Sequence, residues 1–144
     1  MWRELIRDLD PMSTFFQGAT VLQLITLEEE MSITLPEELK SLLMESNGVY
    51  GAYELPLIWS AEEIAQRNLD MRINTVFRES YMPFENLLFF ADAGNGDQFA
   101  YSIIQGAIRR TDVFVWDHEN DSRTWVAPTL QRYIEGWLSG KLKI

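Results

Sequence analysis

Apolar positions follow two rhythms along this chain, one helical and one alternating. The helical rhythm comes first. In "TVLQLITLEEEM", Val21, Leu24, Ile25 and Met31 fall broadly on one side of a helix, and Thr20 and Gln23 stand at capping-box spacing. In "TLPEELKSLLMESNG", Leu35, Leu39, Leu42 and Leu43 form one row. Thr34 and Glu37 repeat the capping spacing, Pro36 stands early, and Gly48 is placed as a left-handed stop. A third helix is predicted in "WSAEEIAQRNL", where Ser60 caps, Glu63 reaches back, and Trp59 and Ile64 fit a hydrophobic staple. Near the end, "APTLQRYIEGWLSG" sets Leu130, Tyr133, Ile134, Trp137 and Leu138 in one stripe, with Pro128 near its start and Gly140 at its close.

Between these helices the residues turn aromatic and β-branched. Strands are expected over Glu54–Ile58, Leu87–Ala91, Gln98–Ile104, Val113–Asp117 and Thr124–Ala127. Most gaps are short, as antiparallel meanders require. Met71–Glu85 reads as the longest loop, and residues 1–19 as the candidate for a loosely attached N-terminal segment. With no repeat, low-complexity tract or linker, the organisation expected is one domain over residues 1–144.

Composition narrows the chemistry. With 144 residues, 47% of them apolar, the chain can bury one sizeable core. It has no cysteine, which removes disulfide frameworks, thiolate metal sites and cysteine nucleophiles, and His118 is its one histidine. No apolar run approaches a membrane span, and Met1–Asp10 lacks the apolar core of a signal peptide, so a cytoplasmic location is expected. The net charge of −10 repels nucleic acid and anionic lipid at long range and steers basic proteins inward.

Two polar segments carry the candidate chemistry. In "DAGNGD", Asp92, Asn95 and Asp97 stand at relative positions 1, 4 and 6, which is not the ligand spacing of an EF-hand loop. The glycines are followed by a strand pattern, so this is no dinucleotide fingerprint either. Asn95-Gly96 between apolar runs is a hairpin signal, because both residues tolerate positive φ. In "VFVWDHENDSRTWVAP", Asp117, Glu119 and Asp121 alternate without the glycine that a calcium loop needs, and again read as a turn between strands. His118 beside them reads as a solvated turn residue. No serine elbow, phosphate loop or zinc-protease motif occurs, so no catalytic residue, cofactor or metal ligand is assigned. The candidate partner-binding set is therefore Asp92, Asn95, Asp97, Trp116, Asp117, Glu119 and Asp121, an acidic patch rimmed by Trp116 and Trp125 if the sheet brings both turns to one edge. A third class, a hydrolase using Asp92, Asp97 and Asp117 with a divalent ion, would require those carboxylates to converge.

Four segments in order, "LPEELKSLLMESNG", "LPLIWSAEEIAQRN", "ADAGNGDQFAYSI" and "VFVWDHENDSRTWVAPTLQRYIEGWL", resemble the SUKH superfamily, which includes bacterial toxin-immunity proteins and eukaryotic cell-wall synthesis regulators. The likeness runs from about Ile25 to Leu138. It is carried by Leu35-Pro36, Asn47-Gly48, Trp59, the hairpin residues Gly94, Gly96 and Asp97, and the strand end Val115-Trp116-Asp117. Ala127-Pro128-Thr129 departs from the helix start common in the family. The resemblance implies an α+β domain, a mostly antiparallel sheet of about four to six strands with helices packed against it. It also implies a non-enzymatic immunity protein that binds and neutralises a cognate toxin, plausibly a nuclease with a basic surface. The alternative it implies is a regulatory protein–protein interaction module without a toxin.

Overall fold

Capping chemistry sets two helix starts where the spacing predicted. A computed structural model describes residues Met1–Ile144. In it Thr20 caps α2 (Val21–Met31) and Ser60 caps α4 (Ala61–Ile73), each with a reciprocal bond from the third helical residue, Gln23 or Glu63. Thr34 does not cap. Helix α3 (Glu37–Glu45) follows Pro36, whose side chain cannot accept a bond, and the neighbouring Leu35 N–H is taken by Glu28 Oε2 of α2 at 2.7 Å. Helix α6 (Leu130–Ser139) starts on Thr129, which accepts the Arg132 amide, and ends on left-handed Gly140. Gly48 is left-handed as expected but is not the stop of α3, which ends at Ser46. It sits where the chain turns into the next strand, and a side chain there would come within 3.0 Å of the Ser60 amide.

Seven strands form two antiparallel sheets. Strands β1 (Thr14–Phe15), β2 (Val49–Tyr50) and β3 (Pro56–Ile58) make the smaller one; β4 (Leu87–Asp92), β5 (Gln98–Ser102), β6 (Val113–Trp116) and β7 (Arg123–Ala127) form a four-stranded meander in that order. The predicted strand at Glu54 starts two residues late, because Ala52–Glu54 forms a 3-10 turn with Tyr53 and Glu54 at positive φ. β1 and β2, two residues each, show no sequence signal.

Alternation along the meander splits its aromatics between two faces. Phe99 and Tyr101 face α6, with the Phe99 ring 4.6 Å from Tyr133 and 5.1 Å from Trp137. Phe89 and Trp116 lie on the other face, covered by Tyr81 and Phe84 at 5.1 and 5.2 Å from the Trp116 ring. The stretch Met71–Glu85, expected as a loop, therefore has a packing task. Helix α4 runs through Ile73, α5 (Thr75–Ser80) follows, and the aromatics after it cover the sheet.

Helix α4 also closes the β4 edge. Asn68, buried, gives its amide N–H to the Phe89 carbonyl at 2.8 Å and accepts the Phe89 N–H at 2.9 Å, while Arg72 donates to the Leu87 carbonyl at 3.0 Å. A register shift in β4 between Phe89 and Ala91 turns the Phe90 carbonyl toward the Trp59 amide, 2.8 Å away, which joins the two sheets. The exposed polar groups of an edge strand are thus satisfied by side chains and one loop amide.

The first residues are not loose. Helix α1 (Trp2–Leu9) buries Trp2 and Ile6, and the Glu45 carboxylate accepts the Trp2 and Arg3 amides at 3.2 and 3.1 Å. Burial opposes ionisation of Glu45, but those bonds and the terminal amine hold it below its ordinary pKa. On α2 the expected inward side is incomplete, since Leu24, Leu27 and Met31 are buried while Val21 and Ile25 are 61% and 43% exposed.

Candidate interaction surface at the paired turns

The meander order places the β4–β5 and β6–β7 turns side by side at one end of the sheet. In the first, Ala93 N–H donates to the Asp97 carbonyl at 3.0 Å and closes a loop whose positive-φ positions are Gly94 and Gly96; Asn95 takes no such conformation. Asp92 Oδ1 accepts the Gly94 amide and Asn95 Oδ1 the Asp97 amide. In the second, Asp117 Oδ1 accepts the Glu119 amide at 2.8 Å, and its backbone N–H meets the Ser122 carbonyl at 2.9 Å. Each turn is thus shaped by its own acids.

A short ion pair links the turns. Asp97 is buried, and its Oδ1 receives the His118 backbone N–H at 3.1 Å and lies 2.6 Å from His118 Nδ1. His118 is therefore no free turn residue. Its bond to Asp97 raises the imidazole pKa against a smaller opposing effect of burial, and Asp117 and Glu119 add to the rise. Gly96 makes room for the ring: a Cβ there would stand 2.9 Å from the imidazole.

Besides Asp97, two more expected contact residues face inward. Trp116 is 3% exposed, a core residue rather than a rim anchor, because pairing opposite Gln98 points its ring into the Tyr81–Phe84–Phe89 cluster. Asp121, left-handed at φ 61°, accepts Trp116 Nε1 at 2.8 Å, the Met82 amide at 2.9 Å and an Arg123 N–H at 3.2 Å. Burial raises its pKa, but these three donors outweigh it and hold the carboxyl below its ordinary value. Asp121 is the tie between this turn and the segment that covers the sheet.

Asp92, Asn95, Asp117 and Glu119 remain at the surface of this end, with Asn95 and Glu119 exposed and the other two part-buried. Trp125, 52% exposed, lies mid-strand on β7 and bonds Asp112 rather than rimming the turns. Asp97, Asp117 and His118 each place one potential ligand atom within 4.8 Å of the others, so His118 stands where the hydrolase alternative expected Asp92. Asp97 Oδ1 already takes two donors in that trio. The signals for these roles are not local: Asp97 meets His118, and Asp121 meets Met82, only through strand register and a long return of the chain.

Charge compensation is sparse over the whole surface. Of the 22 acidic side chains, eight lie in ion pairs, and the rest carry uncompensated negative charge.

The comparison with known families agrees with this architecture. The model of the family SUKH_6, described as SMI1-KNR4 cell-wall, matches residues 22–134, and the chain belongs to that family. Membership is consistent with an immunity or regulatory role for a domain of a generally non-catalytic kind. No curated protein matches the chain. No helix is long and apolar enough to cross a membrane.

Proposed function

We propose that this protein is an immunity protein that binds and neutralises a cognate toxin whose contact surface is basic, such as a nuclease. The observation that carries the reading is the excess of unpaired carboxylates on a SUKH-family scaffold. A protein that must grip phosphate presents cations where it does so, and a surface of opposite sign both steers association and covers that site. At the paired turns, Asp92, Asn95, Asp117 and Glu119 are the groups that meet the partner; Asp97, Trp116 and Asp121 hold the turns in place behind them. The test is co-expression with the product of the adjacent open reading frame. Restored growth together with a stable complex is the expected result, and continued toxicity with no complex removes the reading.

A second reading, a regulatory interaction module without a toxin, is favoured by the family's cell-wall description. It predicts that affinity capture returns cell-wall or signalling proteins.

A further inference from the structure

Helices α2 and α4 start side by side, joined by Gln23 Nε2 donating to Glu62 Oε1 at 2.7 Å. Between them runs an open trough of about 590 Å³. Its floor is apolar and close-packed, made by Leu27, Ala61 and Ala65, each no more than 5% exposed. Its walls are Leu22 and Leu69, which stand 72% and 39% in water. Its rim carries Glu30, Glu62 and Asp70, and no lysine or arginine lines it.

That charge pattern is built into both helices. Helix α2 contains no basic residue. The two arginines of α4 are engaged elsewhere, Arg67 over the Trp59 ring at 4.9 Å and Arg72 on the Leu87 carbonyl. None of the three rim acids pairs with a cation, and only Glu62 is held by neighbouring amides. Exposed leucines ringed by uncompensated acids fit an occupant that is apolar on one face and cationic on its flanks. A second copy of this chain would set acid rim against acid rim. The surroundings also select the occupant's conformation. The trough's walls are helices whose backbone groups bond internally, so it offers side chains and no strand edge, which suits a segment that satisfies its own backbone. From Leu22 to Glu30 the trough extends about 12 Å, two turns or so of a helix.

We propose that the α2–α4 trough is a docking site for a basic amphipathic helix of a partner protein. Apolar residues one turn apart sit between Leu22 and Leu69, and lysines or arginines beside them meet Glu30, Glu62 and Asp70. This rests on the reading that the chain binds a basic protein, and it names the segment bound.

The probe is a labelled Leu/Lys amphipathic peptide of about 14 residues, with its Leu/Glu counterpart as control. Fluorescence anisotropy and amide NMR shifts of the whole protein are measured on addition. The expected result is saturable binding of the Lys peptide alone, weakened by salt, with shifts centred on Leu22, Thr26, Ala65 and Leu69. The doubly reversed variant Glu30→Lys with Asp70→Lys, whose side chains support nothing in the fold, loses at least about tenfold in affinity, while the reversal Glu79→Lys, at an exposed acid of α5 outside both the trough and the paired turns, changes it less than about threefold. Equal binding of the Glu peptide, shifts centred on the paired turns, or unchanged affinity in the double variant overturns the proposal. So does a dimer in sedimentation equilibrium that closes the trough and blocks the peptide. Toxin co-expression separates the two readings. Peptide binding in the trough without neutralisation by the wild-type chain removes the toxin and keeps the trough; neutralisation undiminished in the double variant keeps the toxin and removes the trough.

Discussion

At the paired turns, Asp97 and Asp121 face the protein's own donors, whereas along the α2–α4 trough Glu30 and Asp70 face only water. The tryptophan and leucines of the two regions divide the same way: Trp116 is enclosed by aromatic rings, and Leu22 stands 72% exposed. Acid next to apolar surface thus means opposite things in the two places. Where the carboxylate accepts buried donors it stabilises a turn; where it accepts none it leaves the surface open to a partner. Counting acids along the chain cannot tell these apart, because the difference lies in what each oxygen touches.

The sharpest way to break this contrast is Trp116→Ala. Removing a ring packed among Tyr81, Phe84 and Phe89 is expected to cost about 3–5 kcal/mol in urea unfolding. A loss under about 1 kcal/mol accompanied by lost partner binding would return Trp116 to the contact surface. Next comes Asp121→Ala, which strands the part-buried Trp116 indole N–H and releases the Met82 amide to water, and should cost about 1–3 kcal/mol. Asp121→Asn keeps an acceptor and tolerates the left-handed backbone, so it should cost clearly less by the same measurement. On the trough, Leu22→Ala is expected to alter stability by no more than about 0.5 kcal/mol, since its side chain is 72% exposed, and Leu69→Ala, at 39% exposed, by about 1 kcal/mol. A large destabilisation there would make the trough walls part of the core.

The smallest effect expected is on pH dependence. The pKa of His118 is raised in the folded chain, so its pairing with Asp97 stabilises fully below the unfolded histidine value and is lost as pH rises through the folded one. Asp121 runs the other way: its lowered pKa gives stability above the unfolded carboxylate value, lost as pH falls through the folded one. Thermal melts of wild type and His118→Gln should therefore diverge at mildly acidic pH and converge on the alkaline side. Parallel curves throughout would show that the imidazole contributes nothing to the join between the turns.

Much of the fold was legible because its signals are local. Thr20 with Gln23 and Ser60 with Glu63 act across three residues, and the sequence places both capping boxes correctly. The five expected strands, the α+β class and the SUKH resemblance also hold, with small shifts at the strand ends. What stayed hidden depends on distant partners. Strands β1 and β2 exist only through their pairing, and α5 lies in the stretch read as a loop, where Phe77 packs on Tyr81 and Phe84 as these cover Trp116 of the sheet. Asn68 is indistinguishable from a solvated helix residue in the sequence, and it is buried against Phe89 in the structure. For the candidate site, the sequence located the two acidic turns. Strand register and the return of the chain at Met82 decided which acids point out, and they turned Asp97, Trp116 and Asp121 inward.

Sealing β4 with the Asn68 amide and the Arg72 guanidinium leaves the meander one free border, at β7. A ribbon that can be joined along a single margin can at most pair with another and then stops, since growth into a fibril needs a second margin for the next molecule. An amide lost at position 68 would free the Phe89 N–H and carbonyl on that margin, and so weaken a safeguard against polymerisation as well as remove a contact.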